Sequence, residues 1–243
     1  MSVKTNHVTM FRPNLSAVPA WEPATGRRLG LFNNYERSQL ADSATIVRFK
    51  KGLQIYREGQ EASAVFVIVT GLVKAYKALP TSGQHIAAFF FAEDVFGLSE
   101  EGRYINSTEA VTQITAYRLS IIAVKRLLSE NASIGYHVIC KLCDELRGTQ
   151  RHALLISRRS AVGRLAMFLQ MIARCEGCNA NGAGEVYLPM SRSDIADYVA
   201  LSPEVASRTF RRLEKLGLIV TRDKRHVKIL NRDQLEELVS ICP

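Results

Sequence analysis

The chain has 243 residues, 47% of them hydrophobic and 23% charged, which is ordinary globular composition and enough chain for two modest domains. Its net charge of +9 and pI near 9.5 favour a polyanionic partner, although solvated surface charge alone accounts for such an excess about as well. No apolar run is long enough to span a membrane, and the first residues lack a charged stretch followed by an apolar one, so a cytoplasmic protein is expected.

Residues 1–28 read as a loose tail, interrupted by Pro13, Pro19 and Pro23. Residues 45–119 read as short strands: Ile46 to Phe49, Ile55-Tyr56, Ala64 to Val69, Val73 to Tyr76 and Ile86 to Phe91, punctuated by Gly52, Gly59, Gly71 and the Pro80 to Gly83 turn. Short apolar strands at this spacing, punctuated by glycine, predict a sandwich or barrel, of which a compact β-roll is the preferred form. Ser120 is a candidate N-cap for a helix through Leu128. A longer helix is predicted from Ala132 to Ile156, with Ile134, Val138, Leu142, Leu146, Ala153 and Ile156 recurring every three or four positions along part of it. That stripe either packs on the roll or forms a coiled-coil-like dimer seam. Ser157 to Ser160 is the natural hinge, followed by an apolar helix from Ala161 to Cys175 and a Gly- and Asn-rich loop from Glu176 to Gly184.

The informative stretch runs from Ser191 to Leu230, with nine Lys or Arg against five Asp or Glu. Ser191 followed by Asp194 has the spacing of a capping box. A short helix from Arg192 to Val199 leads through Ala200-Leu201 to Ser202-Pro203, a second N-cap with proline in the first helical position. The second helix runs to about Leu216, with Gly217 at its C′ position. Ala206, Phe210 and Leu213 fall on one face, while Glu204, Ser207, Arg208, Arg211 and Lys215 share the other. Leu218 to Arg222 and Arg225 to Leu230 read as strands around Asp223-Lys224, with Arg222, Lys224, Arg225 and Lys228 placed to reach phosphates. Arg192 and Arg211 join Lys224 and Arg225 as candidate phosphate contacts. Two capped helices joined by a tight turn and followed by a charged hairpin are the pattern of a winged helix-turn-helix, whose second helix enters the major groove.

These segments resemble the Crp/Fnr superfamily of transcription regulators over nearly the whole chain after the tail. The glycines of the roll and Asp94-Val95-Phe96-Gly97 look like the family's cyclic-nucleotide-type roll. Met190 to Tyr198 and Glu204 to Arg208 are similar to the Fnr branch, especially FixK-like regulators. The chain has Pro203 where the cAMP-receptor branch has arginine, and Ser207 where it has glycine. It departs from the family at Ala200, the usual turn glycine, and at Ala206, usually a branched apolar residue. The implied architecture is α+β: a tail at 1–28, a β-roll sensor domain at 29–130, a dimerisation helix at 131–157 and a winged helix-turn-helix at 158–243. The resemblance implies a cytoplasmic homodimeric activator on a TTGA…TCAA palindrome, with base contacts from Glu204, Ser207 and Arg208 and RNA polymerase as a further partner.

No cofactor is expected. The family's phosphate-binding glutamate and arginine are missing: Leu98 follows Gly97, Tyr104 to Ser107 holds no arginine, and Arg103 is out of register. Cyclic nucleotide is disfavoured accordingly. An N-terminal iron–sulfur cluster is also disfavoured, because the tail has no cysteine and Tyr117 occupies the expected internal ligand position. Cys140, Cys143, Cys175 and Cys178 form two Cys-x-x-Cys pairs that would bind metal or respond to oxidants if they met in space; buried inert cysteine is the commoner outcome. His85 and His137 remain candidate haem ligands, as some relatives bind haem, whereas His226 in the wing faces solvent or phosphate. The alternative to an effector-independent regulator is one whose DNA binding requires a ligand, haem, metal or redox signal. No P-loop, nucleophile elbow or His-Glu-x-x-His motif is present, so an enzyme is not expected.

Overall fold

The computed structural model describes Ser38 and residues 41–80, 83–99, 101–158, 160–173, 179–180 and 184–241. The expected tail at 1–28 and Cys175, Cys178 and Cys242 lie outside them. Contacts divide the chain into one unit of residues 1–75 and 89–145, and another of residues 76–88 and 146–243.

The strands between residues 45 and 120 form two sheets. β1 (Thr45–Phe49), β8 (Ile114–Ser120), β3 (Ala64–Thr70) and β6 (Val95–Phe96) form one sheet in the order β1-β8-β3-β6. A second sheet has the order β2-β7-β4-β5, from β2 (Gln54–Tyr56), β7 (Ser107–Ala110), β4 (Val73–Ala78) and β5 (Gln84–Phe90). The apolar run of β3 suits an inner strand, paired on one edge with β8 and on the other with β6. Aromatic rings fill the roll: Tyr56 and Tyr104 stack with centroids 3.6 Å apart, and Phe66 and Phe96 with centroids 5.1 Å apart. The buried Tyr104 hydroxyl is satisfied, donating to the Ala64 carbonyl at 2.8 Å and accepting from the Ala64 amide at 3.3 Å. Gly71 permits the close approach of the next connection: its φ is +101°, and a Cβ there would lie 2.4 Å from the Gln113 carbonyl oxygen.

Ser120 caps α1 (Ile121–Glu130) by accepting from the Ala123 amide, as its sequence position suggests. α2 spans Ala132–Ser157. Its expected single apolar stripe divides. Ile134 is 2% exposed in a cluster with Leu119 and Leu127, and Val138 packs on the same cluster. These two residues of the anticipated dimer seam therefore face the chain's own roll. Leu142, Leu146 and Ala153 are exposed, in company with Tyr136, Ile139 and Leu154. Helical geometry explains the division: each step of four residues advances about 40° round the axis, so Leu146 points about 120° away from Ile134.

α2 is also tied to the roll by charge. Asp94, in the turn before β6, accepts from the Phe91 amide at 2.7 Å and pairs with the Lys141 ammonium, which is buried. One turn on, burial raises the Glu145 carboxyl from 4.5 to about 7, with Lys141 opposing the shift and Asp94 adding to it.

In the second unit, α3 (Ala161–Ala173) is the most apolar helix and buries Val162, Leu165, Ala166, Phe168, Leu169 and Ile172. It packs against α5 (Pro203–Lys215), α6 (Arg232–Ile241) and strand β10 (Glu185–Tyr187). α4 (Arg192–Tyr198) precedes α5, and β9 (Asn179–Ala180), β10, β11 (Ile219–Thr221) and β12 (His226–Ile229) form a sheet in the order β11-β12-β10-β9. Glu185 to Tyr187 and the region of α6 carry no clear local pattern. Both are stabilised by partners distant in sequence: Val186 sits opposite Val227 in the ladder, and Leu235 of α6 is fully buried. Among the described residues no helix is long and apolar enough to cross a membrane.

A carboxyl whose pKa is higher folded than unfolded is tolerated while protonated and destabilises the fold as pH rises past both values. Glu145→Gln is therefore expected to gain stability over the parent between pH 5 and pH 8, reaching on the order of 1 kcal/mol at the upper end once solvent screening is allowed for. Urea midpoints at the two pH values measure this; a difference that does not change with pH contradicts it.

Candidate nucleic-acid interface

The local chemistry of the Ser191 to Leu230 segment forms as its sequence suggests. The Ser191 hydroxyl accepts from the Asp194 amide at 3.0 Å, and the Asp194 carboxylate accepts from the Ser191 amide at 3.0 Å, completing the capping box of α4. The helix ends in a left-handed turn. Ala200 has φ +52°, and the Leu201 amide donates to the Ala196 carbonyl at 2.9 Å. Ser202 then caps α5 by accepting from the Val205 amide, with Pro203 in the first turn. Gly217, at φ +68°, closes α5, and the Leu218 amide donates to the Leu213 carbonyl at 3.1 Å.

α5 is two-faced. Ala206, Phe210 and Leu213 are buried, as expected, and so is Thr209, whose hydroxyl returns to the Val205 carbonyl at 2.7 Å. Glu204, Ser207, Arg208, Arg211 and Lys215 are exposed. Pro203, Glu204, Ser207, Arg208 and Arg211 line one open depression. The Ser202 hydroxyl, the Glu204 amide and the nearby Arg208 lower the Glu204 pKa, so its carboxylate is a charged acceptor at neutral pH. A groove of 760 Å³ continues from Ser207 and Arg211 to Thr221, Asp223, Lys224 and Arg225 on the β11–β12 hairpin. The three candidate base contacts and the phosphate candidates Arg211, Lys224 and Arg225 thus share one continuous surface.

Arg192, the other phosphate candidate, also lines this groove and is half-buried. Its guanidinium carbon lies 3.5 Å from the centroid of the Phe210 ring. Burial lowers its pKa to about 10, against the opposing influence of Glu214 and Asp223. It fastens the start of α4 onto α5. Other cations of the hairpin are engaged as well. Arg222 pairs with Glu185 at 2.9 Å, and Arg225 donates to the Tyr187 hydroxyl at 3.1 Å. Asp223 organises the hairpin tip by accepting from the Arg225 amide at 2.6 Å, the His226 amide at 2.8 Å and the His226 ring at 2.8 Å. These bonds hold its pKa down at about 2. The Asp223-Lys224 turn is legible from sequence, and the signal for the role of Asp223 is an Asp two residues before the residue whose amide it binds.

Of the four cysteines of the two Cys-x-x-Cys pairs, Cys175 and Cys178 lie outside the described residues. Cys140 and Cys143 are free thiols on α2, with Cys143 exposed. Among the described residues no three His, Cys, Asp or Glu side chains are grouped to hold a metal ion. His85 stacks on His152 with ring centroids 5.6 Å apart, and the side chain of His137 lies outside those described. In the roll, aromatic rings stack on one another, the Arg103 guanidinium donates to the Gly59 carbonyl at 2.8 Å, and the buried Lys74 and Lys141 are paired with Glu109 and Asp94.

Comparison with known proteins gives two family matches: a Crp-like helix-turn-helix domain over residues 163–238 and a cyclic nucleotide-binding domain over residues 46–131. The nitrogen fixation regulation protein FixK of Azorhizobium caulinodans is 35% identical over 198 residues, covering 79% of this chain and 78% of its own. The transcriptional activatory protein AadR of Rhodopseudomonas palustris is 31% identical, covering 79% of each. The solved structure of FixK2 from Bradyrhizobium japonicum superposes with a TM-score of 0.74 at 31% identity, covering 80% of this chain and 96% of that one.

Ala200 carries the strain of a side chain in the left-handed region. Ala200→Gly is expected to raise stability by about 0.5 kcal/mol, the relief being partly offset by the greater freedom of glycine in the unfolded chain. Ala200→Val should lower it by about 1–2 kcal/mol. Urea unfolding of both variants checks the pair, and the reverse order would mean that the turn is not strained.

Proposed function

Because the chain belongs to the Crp/Fnr superfamily of DNA-binding transcription regulators, in its FixK-like branch, we propose that it acts in the cytoplasm as a homodimeric activator reading a TTGA…TCAA palindrome. The observation that carries this reading is the outer face of α5. Glu204, Ser207 and Arg208 stand exposed near the N-terminal end of a doubly capped helix, beside a basic hairpin. The Arg208 fork suits the two acceptors of guanine, and the ionised Glu204 suits the cytosine amino group. Arg211, Lys224 and Arg225 on the same surface suit phosphates. The FixK relative is a nitrogen fixation regulation protein and AadR a transcriptional activatory protein, in keeping with an activator role, and RNA polymerase is the protein partner such a role requires.

A second copy is the occupant proposed for the exposed stripe of α2, where Tyr136, Ile139, Leu142, Leu146 and Leu154 remain in water in a single chain. The division of labour is a β-roll, a dimer helix and a DNA-reading module. DNA binding is proposed to need no cyclic nucleotide, in line with the aromatic filling of the roll. A redox-controlled alternative has one specific support, the exposed thiol of Cys143 beside this stripe.

Binding of the purified protein to a TTGA…TCAA duplex and a scrambled duplex, with and without reductant, tests the reading. Preference for the palindrome under both conditions is expected; preference only with reductant favours the cysteine alternative, and none under either removes the half-site assignment. Arg208→Ala should cost about 1–3 kcal/mol on the palindrome and relax selectivity at one base pair. Lys224→Ala should weaken all sequences alike and lower the salt slope by about one. Leu146→Glu should halve the mass measured by light scattering from twice the 27.1 kDa of one chain; an unchanged mass counts against the proposed seam.

A further inference from the structure

The C-terminal end of α4 and the turn after it lie directly before the DNA-reading helix, and they leave carbonyl groups that helical bonding does not use. Three consecutive ones are taken by side chains from elsewhere in the second unit. His152, on the C-terminal half of α2, is buried; its Nε2–H donates to the Tyr198 carbonyl at 2.8 Å, and its ring stacks on the Tyr198 ring with centroids 4.1 Å apart and an interplanar angle of 11°. Arg164, near the start of α3, donates through Nη1 to the Ala200 carbonyl at 2.8 Å and the Val199 carbonyl at 3.4 Å. Its Nε donates to the Arg158 carbonyl, just beyond the end of α2, at 2.6 Å.

We propose that His152 and Arg164 are positioning residues that fix the angle of α5 on DNA by clamping the carbonyls of Tyr198, Val199 and Ala200. The inference rests on the DNA-reading role proposed for α5. Neither residue lies on the exposed face of α5 or in the groove beside it, so their effect on DNA passes through the turn. Three features favour a clamp over incidental contact. The turn contains Ala200 in a conformation that alanine resists, so the arrangement must be held by its surroundings. A guanidinium at a helix C-terminus meets both the hydrogen-bonding need and the partial negative charge of the last carbonyls. The Arg164 fork bonds simultaneously to the stretch that ends α2 and to the turn that begins α5, so a change in the path of the first is transmitted to the second through one rigid, planar group.

The two residues do different work. The His152 ring is held flat on Tyr198 and also stacks with His85, with centroids 5.6 Å apart and an interplanar angle of 8°. Burial lowers the His152 pKa, with the Tyr198 carbonyl opposing and His85 adding to the shift, so the ring is a neutral donor near pH 7. Gln84 reaches the same end of α4, donating to the Asp197 carboxylate at 3.0 Å. Arg164 supplies the permanent charge and the second and third bonds.

The test uses the full-length protein and its variants Arg164→Ala, Arg164→Lys, His152→Leu and His152→Gln. Two quantities are read: the ratio of affinities for the palindromic and scrambled duplexes, and amide hydrogen exchange of residues 196–206 without DNA. For Arg164→Ala and His152→Leu the ratio should fall at least tenfold, while affinity for the scrambled duplex changes less than threefold, because the phosphate-contacting cations are untouched. Exchange in 196–206 should accelerate more than in α3. Lysine and glutamine, which each retain one donor, should recover part of both readouts. Equal losses on the two duplexes, or an unchanged ratio in variants of a selective parent, overturn the clamp. Should the parent itself show no palindrome preference, the half-site proposal fails separately, and hydrogen exchange alone decides: unaltered protection of 196–206 in both Arg164 variants overturns the inference. If Arg164→Ala does not fold, Arg164→Lys carries the same readouts, and a ratio and protection equal to the parent's overturn it.

Discussion

Removal of α3 from water is the condition on which the DNA-reading unit rests. Leu165, Phe168, Leu169 and Ile172 have no exposed surface, and burial of each such side chain contributes about 1.5–3 kcal/mol before conformational entropy is subtracted. Because α3 lies against α5, α6 and β10, it supplies the wall that receives Ala206, Phe210 and Leu213. A helix of 13 residues with so polar an outer face is marginal alone in water. Its reading face exists as a defined surface because its inner face is docked. The caps at Ser202 and Gly217 then decide where the helix begins and ends.

Charge is distributed to match. Several cations of the helix-turn-helix and hairpin serve the fold: Arg192 lies over Phe210, Arg222 meets Glu185, and Arg225 meets Tyr187. Asp223 spends its carboxylate on the hairpin tip and is kept ionised by the amides it binds. Arg211 of α5 lines the groove with Lys224 and with Arg225, which is itself exposed. Screening at physiological salt limits such charges to a range of about 8 Å, so it is their placement along this groove, more than the total of +9, that bears on a DNA backbone.

The roll is packed by aromatic rings and tied to α2 by charge. Tyr56, Phe66, Phe96 and Tyr104 occupy its interior with each other, and the buried lysines nearby already have carboxylate partners. Lys141 and Asp94 join α2 to the turn before β6, while Ile134 and Val138 add an apolar contact on the same side of the helix. The roll therefore supports the N-terminal half of α2 by its own side chains, leaving the opposite side of that helix, from Tyr136 to Leu146, to face outward.

The sequence by itself determined what depends on near neighbours. The capping box at Ser191, the Ser202-Pro203 start, the Gly217 stop, the two faces of α5 and the hairpin around Asp223-Lys224 are all set by interactions within a few residues, so they can be read directly from the order of side chains. The core strands of the roll were legible for the same reason, in their β-branched and aromatic runs. Tertiary structure alone decided the rest. α6 and β10 carry little local signal and are stabilised by partners far along the chain. The apolar stripe of α2 splits between roll and solvent because a helix turns, and only the position of the roll fixes where the split falls. Arg192 is held against a ring 18 residues away on another helix, and the grip of His152 and Arg164 on the turn joins residues separated by 46 and 36 positions. Hydrogen bonds to backbone carbonyls leave no mark on the identity of the residue that accepts them, so no reading of the sequence could have located that grip.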